Sequence, residues 1–297
     1  MIGRLVHTGQ VVIDLVLRVP ALPPAGGDVM ASSTTLAAGG GFNVMAAAAR
    51  DGAAVVYTGG HGTGPHGDLA RAALAAEGVT TSAPISAVDT GICVVLVDDS
   101  GERTFVTGSG AETAVSGSLP QVSAADLLYV SGYSLLVPEK AEQILAVSGG
   151  AVLLDPGPLV ADIDPDLWSR ALARTCVLST NAREARLLTG RSDLSAAALE
   201  LGTRLHEGAI VLVRDGAAGC LVARSGAVEV VPGFAVEAVD TNGAGDAHCG
   251  VLAAALLRGE DVLEAARRAN AAAALAVTKA GPATGPTAAE IDRFLVR

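Results

Sequence analysis

Apolar runs of strand length recur along this chain and alternate with segments of helical period, and that alternation sharply limits the folds open to it. The runs are VVIDLVLRV (11–19), AAVVYTG (53–59), DLLYVSG (126–132), AVLLDPG (151–157), TCVLST (175–180) and AIVLVRDG (209–216). Helical patterns lie among them: FNVMAAAARDG (42–52), GDLARAALAAEG (67–78), AREARLLTG (182–190) and SAAALELGTRLHEG (195–208). The connections are short and carry glycine. Parallel strands need a crossover, and a helical crossover buries the strands on both sides. The order therefore predicts an α/β fold with a mainly parallel sheet covered by helices on both faces.

Two segments break the rhythm. Residues 28–37 (DVMASSTTLA) and 91–107 (GICVVLVDDSGERTFVT) have β character, and no helix separates the two halves of the second. Asp98-Asp99-Ser100-Gly101 supplies a hairpin turn there. These segments are expected to form a small antiparallel sheet that projects from the main body as a flap. Such a flap would cover the carboxyl edge of the parallel strands, where open α/β folds bind ligands.

Composition narrows the function. Half of the 297 residues are apolar and only 3% are aromatic, so the core is expected to be aliphatic with close helix contacts. A net charge of −11 argues against general affinity for nucleic acid or an anionic membrane surface, since both need a basic face. No stretch reaches the ~20 uncharged apolar residues of a membrane span. Arg4, His7, Asp14 and Arg18 interrupt the apolar N-terminus, which reads as strand rather than signal peptide. Cys93, Cys176, Cys220 and Cys249 are widely spaced, as expected for buried, unpaired thiols in a reducing compartment. A cytoplasmic protein is the expectation.

Chemistry concentrates where small residues open helices. DTNGAGDAHCG (240–250) runs into an alanine-rich helical stretch. Helix starts expose unpaired N–H groups and a partial positive charge, and glycines let an anion approach them closely. Gly243, Ala244 and Gly245 are thus a candidate anion hole, and Asp246 in the first turn is a candidate general base. A tight turn followed by a stabilising first-turn acid is the structural alternative. A second cluster, Gly39-Gly40-Gly41, precedes a helix expected near Phe42–Asn43, where bare backbone and an amide suit hydroxyl recognition. There the alternative is a loop with Asn43 as helix cap. GTGPHG (62–67) matches G-x-G-x-x-G after a strand and before a helix, but it follows one strand–helix unit. Pro65 removes an N–H, and only Glu77 or Asp89 could serve as the ribose acid of a nicotinamide site. Asn181 and Glu184 either cap a helix or place an amide near phosphate and a carboxylate near hydrated magnesium. His61 and His66 share a loop with no third metal ligand in view.

Together these pieces resemble the ribokinase family, the PfkB carbohydrate and nucleoside kinases, collinearly over nearly the whole chain. The matching elements are Gly9 to Asp14, GGGFN, the two flap segments, NAREARLLTG, VRDGAAG, DTNGAGD and RANAAAALAVTKAG. The resemblance implies a three-layer α/β/α kinase domain spanning 1–297, with lid segments at about 10–37 and 88–110. It implies Asp246 as base, Gly243, Ala244 and Gly245 around the γ-phosphoryl group, and Asp14, Gly39, Gly40, Gly41 and Asn43 on the acceptor. Asn181, Arg214, Gly216, Gly219, Gly245 and Asn270 would meet ATP, and Glu184 would act on Mg²⁺ through water. Asp240, Asn242, Ala276 and Gly281 fall where the family often binds potassium. A homodimer through the β lid is also implied.

The chain departs from ribokinases proper at the acceptor. Val12 replaces an asparagine, Gly40 replaces a lysine-type position, and the strand ending YVSGYSLL offers Ser131 or Tyr133 where a glutamate is usual. GTGPHG replaces the family's GxDxxG, and Phe42 brings a ring toward the acceptor. The expected activity is phosphorylation of a sugar-like hydroxyl. A nucleoside kinase using Phe42 as a stacking surface is the near alternative. A ligand-sensing protein without catalysis, or a nicotinamide-dependent oxidoreductase, would be alternatives of another class.

Overall fold

The computed structural model describes residues 3–114 and 119–296. Nine strands form the central sheet, in the order Ala227–Pro232, Gly219–Arg224, Ile210–Arg214, Val177–Asn181, Ala151–Asp155, Leu127–Ser131, Arg4–His7, Ala54–Tyr57 and Thr80–Thr81. The seven from Ile210–Arg214 onward run parallel, and the first two close one edge antiparallel. Side chains alternate across this sheet with the period of two that strands impose. Leu5, Leu127, Leu153 and Leu212 face Met45, Leu252 and Ala269 on one side. Val6, Leu128, Leu154 and Val213 face Ile144, Ala171 and Leu201 on the other. Three layers result, as expected from the strand–helix alternation.

The small sheet departs from expectation in two ways. Its order is Ser33–Gly40, Val11–Arg18, Ile92–Val97 and Arg103–Gly108, so VVIDLVLRV lies here, within the segment of about 10–37 that the resemblance implies. It is not in the central sheet, where the alternation puts it; Arg4–His7 leads the central sheet. One strand cannot serve both sheets, and Thr8–Gln10 carry the chain between them. Nor is the sheet purely antiparallel. Val11–Arg18 pairs parallel with Ile92–Val97, because the intervening chain returns through the body by way of Ala54–Tyr57 and the helix Pro65–Ala76. The hairpin is present, with the Asp98 carboxylate accepting from Ser100 N–H and Glu102 N–H at the turn. Strand also begins later than the 28–37 segment suggested, at Ser33, and runs on to Gly40.

Alanine richness has a direct structural use. The helices Gly41–Arg50 and Ala244–Leu257 approach so closely that a Cβ on Gly250 would lie 2.3 Å from the Val44 carbonyl oxygen and 2.8 Å from the Ala47 Cβ. Helix Val262–Val277 covers the other side of Ala244–Leu257, with Ala265, Ala266 and Ala269 fully buried. Only small side chains permit backbones to meet at this distance, and the contact fixes Asn43 relative to Asp246. All four cysteines are unpaired. No helix among the described residues is long and apolar enough to cross a membrane.

Candidate active site

The site lies between the carboxyl edge of the parallel strands and the inner face of the small sheet. Gly243 caps the helix Ala244–Leu257 with φ of 71°, a left-handed turn that glycine adopts without penalty. Beyond it, the N–H groups of Gly245 and Asp246 have no acceptor among the described residues, and Ala244 N–H reaches only the Thr241 carbonyl at 3.4 Å. The helix start therefore presents free donors with the positive end of its dipole.

Asn43 comes to Asp246 from the neighbouring helix. Its Nδ2 donates to Asp246 Oδ2 at 2.9 Å, while its own helix starts at Gly41 without a side-chain cap. Asn43 is thus not the N-cap that the alternative reading allowed, and its buried Oδ1 has no partner in the described chain. Asp14 is 9% exposed. A Cβ on Gly39 would stand 2.1 Å from Asp14 Oδ2, so glycine is what lets strand Ser33–Gly40 pair beside that carboxylate. Gly40 turns the chain at φ 61°, and Gly41 N–H donates to the Gln10 carbonyl at 2.7 Å.

Burial raises the pKa of Asp246 to about 6; the Asn43 hydrogen bond opposes this, the Asp155 charge adds to it and Arg214 opposes it. Asp14 is also pushed up to about 6, first by burial and then by the charge of Asp246. Two carboxylates thus lie within electrostatic reach of each other, each tuned toward neutrality.

A second group stands at the ends of adjacent strands. Arg214 reaches both oxygens of Asp155, at 3.3 and 3.5 Å, and the Gly245 carbonyl at 3.4 Å, and it also touches the Cys249 thiol. Asp155 Oδ2 accepts from Tyr129 as well. Arg214 therefore bridges its own turn to the helix Ala244–Leu257, a link that sequence spacing did not suggest. Asp155 was missed too, although a carboxylate ending AVLLD before Pro-Gly was a legible signal. Asn181 and Glu184 form a reciprocal capping box, the structural alternative. Glu184 Oε2 accepts from Asn181 N–H and Thr180 Oγ1, while among the described residues Oε1 accepts only from Asn181 Nδ2 and keeps a lone pair free.

The remaining candidates divide. Gly216 and Gly219 both have positive φ, and a Cβ on Gly219 would strike the Val231 carbonyl oxygen at 2.2 Å. Asn270 spends its amide donor on the carbonyls of Val231 and Pro232, fastening its helix to the edge strand. Phe42 is packed in the core at 6% exposure, so it offers no stacking surface. Tyr133 is 41% exposed with its ring beside Gly157, and Phe105 is 56% exposed on the Asp14 face of the small sheet.

GTGPHG is filled by its own chain. The Asp89 carboxylate accepts from the N–H groups of Gly64, His66 and Gly67, taking the donors a pyrophosphate would need. For metals, no group of three His, Cys, Asp or Glu among the described residues is arranged to hold an ion. Magnesium commonly takes only one or two protein carboxylates and completes its shell with phosphate and water, and the Glu184 Oε1 lone pair suits such a water. The potassium candidates fit poorly. Asp240 is ion-paired with Arg103 and accepts from Asn242 and Gly281 N–H, while the Ala276 carbonyl is taken by Thr284 and Lys279.

Residues 3–289 match the pfkB family carbohydrate kinase model. The ribokinase of Haemophilus influenzae is 34% identical over 259 residues, 83% of each chain. A crystal structure of the ribokinase of Thermotoga maritima superposes over 100% of both chains with a TM-score of 0.85 and 25% identity. Aminoimidazole riboside kinase from Salmonella enterica, solved with aminoimidazole riboside and an ATP analogue, gives 0.80 and 26%, covering 98% of this chain and 100% of that one. The chain belongs to the pfkB family of carbohydrate kinases and is an ATP-dependent kinase of the sugar and nucleoside class.

Proposed function

We propose that this kinase transfers the γ-phosphoryl group of ATP to a hydroxyl of a small sugar-like acceptor, with Asp246 as general base. The observation that carries the reading is the Asp246 carboxylate, held by Asn43 beside the free N–H groups of Gly245 and Asp246 and electrostatically coupled to Asp14. Asp14, Asn43 and the backbone of Gly39–Gly41 hold the acceptor. Asp246, ionised at neutral pH with a pKa of about 6, takes the hydroxyl proton as oxygen attacks in line. Amides of Gly243–Gly245 receive the charge that spreads over the transferring group. Arg214, fixed by Asp155, holds the first turn of that helix in place, and its turn to Gly219, with Asn181 and Asn270, borders the nucleotide. Mg²⁺ bound with ATP would supply charge neutralisation at the phosphates, and Glu184 would hold one of its waters through the free lone pair of Oε1.

Residues 1–297 act on this reading as one kinase domain. The segments about 10–37 and 88–110 form its lid, which shuts water out of the transfer. The lid face opposite Asp14 carries the row Leu36, Leu15, Val94 and Val106, with Leu36 and Val106 exposed. A second copy of the chain covers it, making a homodimer. A reducing, cytoplasmic setting suits the unpaired thiols. A nucleoside acceptor is the second reading, favoured by the exposed Tyr133 ring and by the riboside bound in the Salmonella structure.

Asp246→Asn tests the chemistry. Turnover should fall by roughly 10³-fold or more while ATP binding is kept; near-normal turnover would refute the assignment. A parallel screen of free sugars and nucleosides by ADP release separates the two acceptor readings. Failure of every acceptor, with ATP bound, would favour a ligand-sensing protein.

A further inference from the structure

Asp240 was expected to help hold a monovalent cation, but a side chain from the lid stands there instead. Arg103 opens the lid strand Arg103–Gly108, and its guanidinium is ion-paired with Asp240 across the gap between lid and body. Both side chains are largely covered, at 21% and 11% exposure. Asp240 Oδ1 also accepts from Asn242 N–H at 2.9 Å, and Oδ2 accepts from Gly281 N–H at 3.0 Å. Every neighbour of the carboxylate named here is a donor, and the Ala276 carbonyl is already used by Thr284 Oγ1 and Lys279 N–H, both at 3.1 Å. A small cation needs converging oxygens, whereas a guanidinium needs the carboxylate that is present. The site is built for the arginine.

Its location gives the pair a consequence. Asp240 lies three residues before Gly243, the cap of the anion-binding helix, and its carboxylate fixes the intervening Asn242 N–H. The backbone on its other side is anchored too, since Val239 and Asp240 N–H both donate to the Val277 carbonyl. We propose that Arg103 is a positioning residue: from the closed lid it orders the loop that forms the anion hole, in place of a bound monovalent ion. Lid closure over the acceptor and assembly of the phosphoryl site are then one event. This rests on the reading of Gly243–Gly245 as the anion hole, so the test includes a measurement that needs no catalysis.

Hydrogen exchange of backbone amides in residues 239–246 is measured for the full chain in KCl and in tetramethylammonium chloride at equal ionic strength, without ATP. ADP release from ATP with D-ribose and adenosine as probe acceptors is followed in the same salts. Wild-type protection and turnover should be the same in both salts within about twofold. Arg103→Ala should speed exchange in this loop and lower kcat by about 10-fold or more, the scale of losing a desolvated charge pair that orders reacting groups. K⁺ should restore little of either, because the neighbours of the Asp240 carboxylate are donors rather than converging oxygens, and Arg103→Lys should retain more of both than Ala. Wild-type protection that depends severalfold on K⁺ would overturn the proposal. So would loop exchange in Arg103→Ala unchanged from wild type, or a lysine variant no better than alanine. If exchange responds as expected but no variant, wild type included, releases ADP, the positioning inference stands and the catalytic reading fails.

Discussion

Removing the Asn43 amide should move the pH at which this enzyme switches on. Asn43 Nδ2 donates to Asp246 Oδ2 at 2.9 Å, and this bond holds the Asp246 pKa down against burial and the charge of Asp155. A hydrogen bond to a charged group contributes about 1.5–3 kcal/mol. At 1.36 kcal/mol per pKa unit, its loss corresponds to a rise of about 1–2 units. Water entering the vacated space offsets part of that, so Asn43→Ala should shift the acid limb from about 6 toward roughly 7–7.5. As the proposed base, Asp246 would act only when ionised, so activity should rise with pH through this pKa. At pH 7 the ionised fraction would fall from roughly 90% to about a quarter at the upper end of that shift, and at pH 9 it would be nearly complete in both proteins. Asp14 is also raised to about 6 by burial and by Asp246, so the limb belongs to the pair. Among the described residues only Asp246 accepts from the Asn43 side chain, so the shift reports on Asp246. The assay is kcat by ADP release at saturating ATP and acceptor, from about pH 5 to pH 9. A loss of the same factor at every pH, or a limb displaced to lower pH, would refute the reasoning.

Two further outcomes follow from the same geometry. Asp246→Asn should stabilise the fold while abolishing turnover: a pKa raised from 3.8 means the folded state keeps a proton that the unfolded chain releases between about pH 4 and 6. Stability therefore falls as pH rises through that window. At neutral pH the substitution should recover ~1–2 kcal/mol after solvent screening, or about 2–6 °C in Tm, with the gain gone near pH 4. On the lid, Leu36→Asp and Val106→Asp together should convert a dimer to monomer in sedimentation velocity; unchanged sedimentation of the double variant would show that this face is not the interface.

How much of this was legible depends on the range over which each property is determined. The alternation of AVLLD, TCVLST and AIVLVR with helices fixes a parallel order, because crossover connections leave few other arrangements. The free N–H groups at Gly245 and Asp246 follow from local sequence too, since any helix start with glycine beside it exposes them. What spacing cannot show is which distant segment supplies a partner. Asn43 and Asp246 are 203 positions apart, and only the close backbone contact at Gly250 brings them together. Arg103 and Asp240 are 137 apart and meet where the small sheet approaches the loop before helix Ala244–Leu257. For the same reason the alternation alone assigns Val11–Arg18 to the central sheet, although it falls inside the lid segment of about 10–37 that the family resemblance implies. Its apolar pattern suits either sheet, and the choice depends on Thr8–Gln10 turning the chain away. GTGPHG shows the converse. Its local signal for an anion site is sound, and the structure fills it with Asp89, so a backbone nest becomes a brace at the foot of the lid. A glycine-rich helix start announces that it will bind negative charge, but only the fold says whether that charge is a substrate's or the protein's own.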